Sequence, residues 1–350
     1  MASPGGIVRR YALSFITLTL VTACASGGRS GNHDASSAGD AESGDDASDG
    51  LTDGSTDGTG TCVDETYAEA LPPKDAPLTD LLADYSSAAA SDFILEVLER
   101  RYPIGKHLVE GGLEYEAHDC IEKFLRTKTT GKAVIGQLST IVHECGHSFD
   151  VDQSSFSGAT YVIRDDLRLE CPGASFAGQD ASFARSLIKA DPYAGERPPC
   201  NGGGSGCDIY ADPYLDGDPE NAQFEAGDQG FDTVIEEAVQ YVNSLATGYA
   251  FSDHYQGMVS ERDGILTFLW YMERYLRLAR TDHPDVHAFL LGNACWRDAI
   301  LTVWGRAWLY LDATADDPSL GIHDDAIMKL VKTPELLDEI EAVRVASGCR

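Results

Sequence analysis

The chain has 350 residues, 43% of them hydrophobic, and its 57 Asp and Glu against 26 Lys and Arg leave a formal net charge of −31. That balance excludes nucleic acid as a partner and argues against adhesion to anionic lipid through surface charge. The length past residue 61 suits one large domain, or one domain with two lobes about a cleft.

In chain order, Arg9 and Arg10 open a basic start. A short apolar run follows, Tyr11 to Val21, too short for a stable membrane-spanning helix. The run ends in Val21-Thr22-Ala23-Cys24, which resembles the bacterial lipoprotein signal. The resemblance implies that residues 1–23 are a signal peptide and that Cys24 becomes the lipid anchor. The protein would then sit in the bacterial cell envelope, held on a membrane by its N-terminal lipid. Ala25 after the cysteine points to the outer membrane by the same analogy. Residues 24–61 are mostly Gly, Ser, Asp, Thr and Ala, with Leu51 the lone large apolar side chain. Such a stretch cannot offset its ordering entropy, so it reads as an acidic, disordered tether. A Gly/Ser chain of that length spans roughly 30–35 Å root-mean-square.

Eight cysteines follow Cys24: 62, 120, 145, 171, 200, 207, 295 and 349. In an exported chain they read as disulfides, and Cys200–Cys207 is the easiest pair to foresee, across Asn-Gly-Gly-Gly-Ser-Gly. Helical spacing of apolar residues predicts a helix over 80–101, ending at Tyr102-Pro103. The pattern over 112–135 is mixed, with room for a strand, and 133–150 is again a helix. Tyr161-Val162-Ile163 reads as a short strand. Gly, Pro and Cys dominate 171–231, a long irregular region. Within it Asp212, Asp216 and Asp218 have the composition of a calcium loop but not EF-hand spacing. Helices are expected at 233–247, 263–279, 285–311 and 324–346. The sum is α+β with a helix-rich C-terminal half.

His143-Glu144-Cys145-Gly146-His147 lies in the 133–150 helix. Histidines four apart share one helix face, so both imidazoles can reach one metal ion, and the glutamate between them can hold a metal-bound water. A catalytic zinc takes three protein ligands and keeps a fourth position open. Asp150 and Gln153 occupy the places where a metzincin needs Gly and His, so the third ligand must come from elsewhere. Glu236 and Glu237, in the helix over 233–247, are the candidates. Glu237 falls on the apolar side with Val234 and Tyr241, where an unpaired carboxylate would be costly. Glu237 is therefore preferred over Glu236. Cys145 points away from both histidines and is assigned a buried or disulfide-bonded place.

This arrangement resembles the gluzincin metallopeptidases, H-E-x-x-H on one helix and a glutamate on a later one. The likeness covers two helices; the Asn-Glu-x-x-Ser-Asp form of the second helix is absent. It implies a zincin-like peptidase domain over 62–350 with an active-site cleft between two lobes, Zn2+ held by His143, His147 and Glu237, and Glu144 as general base. The implied substrate is a peptide or protein. A transition-state donor is expected among Tyr241, Tyr249, His254 and Tyr255, with His254 and Tyr255 preferred. Asp150 or Asp152 is expected to orient a ligand imidazole. The alternative is a non-catalytic zincin-like surface module that binds through a groove of Trp270, Trp296, Trp304 and Trp308.

Overall fold

The computed structural model describes residues 60–155, 157–173, 180–198, 210–215 and 229–350, which are rich in helix and carry one small sheet. Cys24, the tether, Asp216, Asp218, Cys200 and Cys207 lie outside the described residues. The α+β expectation holds at this coarse level. Among the described residues no helix is long and apolar enough to cross a membrane. These residues belong to one compact unit.

The chain enters through α1 (Val63–Thr66), and the Cys62–Cys349 disulfide fastens this entry to the C-terminus. The helix expected over 80–101 is two, α2 (Thr79–Ala83) and α3 (Ala90–Arg101). Tyr85 breaks it: its hydroxyl donates to the Lys128 carbonyl at 2.7 Å and its ring packs edge-on against Phe93. α4 (Pro103–Leu113) follows at once, with Pro103 at the first helical position, where no backbone N–H is needed. No strand forms over 112–135. Two short helices take its place, α5 (Cys120–Phe124) and α6 (Gly131–Ile135), started by the side-chain caps Asp119 and Thr130. α7 (Leu138–Gln153) carries the histidine motif.

β1 (Gly158–Arg164) and β2 (Leu167–Pro172) form an antiparallel hairpin. The buried run Ala159–Ile163 made β1 legible; β2 went unseen because Arg168 and Glu170 face solvent and interrupt its apolar signal. After the short α8 (Ala211–Leu215) come the long helices α9 (Phe231–Phe251) and α10 (Glu261–Asp282). The expected 285–311 helix is split into α11 (Pro284–Gly292) and α12 (Ala294–Ala313), because Asn293 leaves helical geometry and caps the Cys295 N–H. The last one is split into α13 (Asp324–Val331) and α14 (Pro334–Ala346), since Pro334 cannot continue a helix.

α7 packs between α4 and α9. Gly112 allows the α4 contact: a Cβ there would lie 2.2 Å from the backbone oxygen of Cys145. α9 is buried on nearly every side because α7, α10 and α12 all pack on it. Trp270, Trp296 and Trp304 are core residues, so they do not line a binding groove; Trp296 Nε1 donates to the Pro172 carbonyl at 2.9 Å.

Candidate metal centre

One face of α7 presents Ser139, His143, His147 and Asp150, all nearly fully buried. The two imidazole centroids are 4.6 Å apart. α9 crosses this face and delivers Glu236, Glu237, Gln240 and Ser244. Glu237 Oε2 lies 3.6 Å from Nε2 of His143 and 3.6 Å from Nε2 of His147. Donor atoms from the three side chains all fall within 4.8 Å of one another, so the group could hold a metal ion.

The Glu237 oxygen is sealed from solvent and has no hydrogen-bond partner. A spacing of 3.6 Å is too long for a hydrogen bond. It is close to the separation of about 3.3–3.4 Å that tetrahedral donors keep around a zinc ion bound at about 2.0–2.1 Å. The other ring nitrogens are already engaged. His143 Nδ1 is 3.1 Å from Ser244 Oγ, and His147 Nδ1 is hydrogen-bonded to the Glu236 carboxylate. A carboxylate only accepts, so Nδ1 of His147 carries a proton, and Nε2, turned to Glu237, is the nitrogen at which a metal would take the place of a proton. The residues therefore fit a metal, in donor type, spacing and orientation.

The charges reinforce one another. Burial pushes the His147 pKa down, but the Glu236 and Glu237 carboxylates dominate and hold it well above the ordinary value. Burial likewise acts to raise Glu237, yet His147 and His143 hold it well below the usual carboxylate range. Glu144 is half-buried, and burial raises its pKa against the opposing pull of His143 and His147. A raised pKa is what a proton-accepting carboxylate needs.

The rest of the motif is structural. Cys145 is bonded to Cys120, which ties α5 to the motif helix. At Gly146 a Cβ would lie 1.9 Å from Gln240 Oε1. Gln240 is fixed from both ends, donating to Asp150 Oδ2 at 2.9 Å and accepting from Asn243 Nδ2 at 2.9 Å. Asn243 accepts in turn from the buried Arg306 at 2.6 Å, and Arg306 pairs with Glu69 at 2.9 Å.

A comparison with protein-family models, curated sequences and solved structures returns no match. The site stands on its own geometry.

That geometry rearranges the supporting cast expected from sequence. Asp150 holds Gln240 and the Val162 N–H instead of an imidazole, and Asp152 is exposed and bonded to Gln153. Glu236 does the orienting they were assigned. His254 sits 3.4 Å from Asp253, with Arg101 and Lys132 as the other charges near it, and no described contact joins it to the triad. Tyr255 reaches Ser139 and Glu261, one helical turn from His143. Tyr249 packs against Tyr310 and under Lys74.

The phenols at the centre are Tyr241 and Tyr214. The Tyr241 ring stands edge-on to His143 at 4.8 Å, and its hydroxyl is 2.8 Å from that of Tyr214. Burial raises both pKa values well above ordinary tyrosine; the Glu237 charge adds to this in both, and Glu144 also acts on Tyr214. Arg185, fully buried, lies within the influence of Glu237, Asp232, Tyr214 and Glu236. Neither Tyr214 nor Arg185 was foreseen, because both come from the irregular region, which has no periodicity to place a side chain.

Proposed function

We propose that the protein is a zinc-dependent peptidase of the gluzincin kind, with an extracytoplasmic zincin-like domain over 62–350 tethered in the bacterial cell envelope by a lipid on Cys24. The observation that carries the peptidase reading is the orphaned Glu237 oxygen equidistant from two imidazole nitrogens. Two histidines and one carboxylate are the donor set of zinc hydrolases, while structural zinc sites are closed by a fourth protein ligand. When bound, the ion acts as a Lewis acid and makes water a nucleophile near neutral pH.

The chain's own residues supply the rest. Glu144 accepts the proton of the attacking water and returns it to the leaving amine. Tyr214, supported by Tyr241, donates to the carbonyl oxygen as negative charge develops there. Glu236 keeps His147 in the tautomer that presents Nε2. The disulfides Cys62–Cys349, Cys120–Cys145 and Cys171–Cys295 favour an oxidising, extracytoplasmic compartment.

Glu144→Gln tests this reading. The variant is expected to keep its metal while hydrolysis of a mixed peptide library falls by about two to four orders of magnitude. Undiminished hydrolysis would overturn the assignment of Glu144. A wild-type protein that holds zinc and cleaves no peptide would favour the binding-module alternative.

A further inference from the structure

A line of buried, hydrogen-bonded side chains runs from the entry of the described chain to the metal centre. Glu69 follows α1, and at Gly305 of α12 a Cβ would lie 2.7 Å from the Asp64 backbone, so the entry segment rests directly on α12 beside Arg306. The Glu69 and Arg306 side chains are 2% and 1% exposed. Arg306 donates from Nε to Glu69 Oε2 at 2.9 Å, from Nη2 to the Tyr102 hydroxyl at 3.0 Å and from Nη1 to Asn243 Oδ1 at 2.6 Å. The Tyr310 hydroxyl donates to the same carboxylate. One guanidinium thus ties the entry segment, the junction of α3 with α4, and α9.

From Asn243 the line has a fixed direction. A guanidinium only donates, so the Asn243 oxygen is committed to Arg306 and its nitrogen to Gln240 Oε1, 2.9 Å away. Gln240 is left to donate with its own nitrogen, to Asp150 Oδ2 at 2.9 Å, and Asp150 Oδ1 accepts from the Val162 N–H at 2.8 Å. Each member stands next to a ligand. Gln240 is one turn past Glu237, and Asp150 is one turn past His147. Asn243 precedes Ser244, whose Oγ is 3.1 Å from His143 Nδ1. The direction depends on Glu69. Without that carboxylate Arg306 is a buried charge lacking its counter-ion, and it gains by turning to other acceptors. Released from Arg306, the Asn243 amide can reverse and Gln240 with it. Gln240 Oε1 is the atom that a Cβ at Gly146 would meet at 1.9 Å, so its place bears directly on how α7 and α9 meet.

We propose that Glu69 and Arg306 are positioning residues for the metal centre, acting through Asn243 and Gln240 to set how tightly His143, His147 and Glu237 hold the ion. This rests on the reading of that centre as a metal site. It makes the entry segment, and not only the two ligand helices, a determinant of metal affinity.

The test is zinc affinity of the full chain, measured by chelator competition without denaturant. The near-isosteric Glu69→Gln is expected to bind zinc about 2- to 30-fold more weakly, the range in which residues remote from a ligand shift its coupling. Arg306→Lys keeps the charge but not the fork that reaches Glu69 and Asn243 together, and should weaken zinc in the same way. The double variant Cys62→Ser, Cys349→Ser is the control for stability, since it loosens the same entry segment without touching the line; its affinity should equal the wild type's. Cobalt in place of zinc gives a second readout. Its visible absorption follows ligand geometry and should change in Glu69→Gln but not in the disulfide variant. Asn243→Ser should also weaken zinc, and adding Glu69→Gln to it should weaken zinc no further, because the path is already cut. Wild-type affinity in Glu69→Gln or Arg306→Lys, an equal loss in the disulfide variant, or losses that multiply when Asn243→Ser and Glu69→Gln are combined would overturn the proposal while leaving the metal centre standing. A wild type that binds no zinc would overturn both.

Discussion

At Gly146 any side chain meets Gln240, and Gln240 cannot step aside because Asp150 and Asn243 hold both ends of its amide. The glycine is thus what lets α9 approach close enough for Glu237 to face both histidines. Gly146→Ala should cost about 1–3 kcal/mol, the usual penalty of overpacking a fixed core contact. Urea denaturation of the disulfide-intact protein measures it, and zinc affinity should fall with it. At the same scale, the paired acids of α9 divide the work: Glu237 faces the Nε2 atoms, and Glu236 holds the far side of the His147 ring.

At the level of elements, α10 carries a carboxyl that nothing in the proposed chemistry uses. Glu273 is fully buried, both of its oxygens lack hydrogen-bond partners, and burial, assisted by Glu339, raises its pKa well above the ordinary value. The folded chain therefore keeps this proton at pH values where the unfolded chain has released it. Since the native state binds more protons, stability falls as pH rises above the unfolded value near 4.5, until the folded pKa is passed. Glu273→Gln removes that dependence. Its melting temperature should exceed the wild type's by an increment that grows from pH 5 to pH 8; a constant difference would contradict the account.

Elements also show where sequence reading succeeds. Helix α9 and the motif helix were legible because a long amphipathic stretch has a period, and Glu237 was legible because it broke that pattern on the apolar side. The splits at Tyr85, Asn293 and Pro334 were harder. Tyr85 leaves its helix for a partner 43 residues away, which no local pattern records. Tyr214, Arg185 and the orienting role of Glu236 likewise depend on which chain segment packs against α9. The preference for His254 came from composition alone, and packing turned that side chain to Asp253 instead.

For the whole molecule, the Cys62–Cys349 disulfide closes a sequence separation of 287 residues around the entire described domain. A loop that long restrains the unfolded chain by about 6 kcal/mol in the chain-entropy view, an upper figure that measured disulfides seldom reach. The double variant Cys62→Ser, Cys349→Ser should lose about 2–5 kcal/mol in urea unfolding, with zinc binding retained below the transition. Cys120→Ser, Cys145→Ser reaches the motif helix itself and should weaken zinc as well as stability. The central claim is the metal centre, and metal analysis of purified wild type beside Glu237→Ala and Glu236→Ala tests it most directly. The account predicts about one zinc per wild-type chain, none retained by Glu237→Ala, and zinc bound about 10–100-fold more weakly by Glu236→Ala. A wild-type protein without zinc, or Glu237→Ala binding it as tightly as wild type, would contradict it.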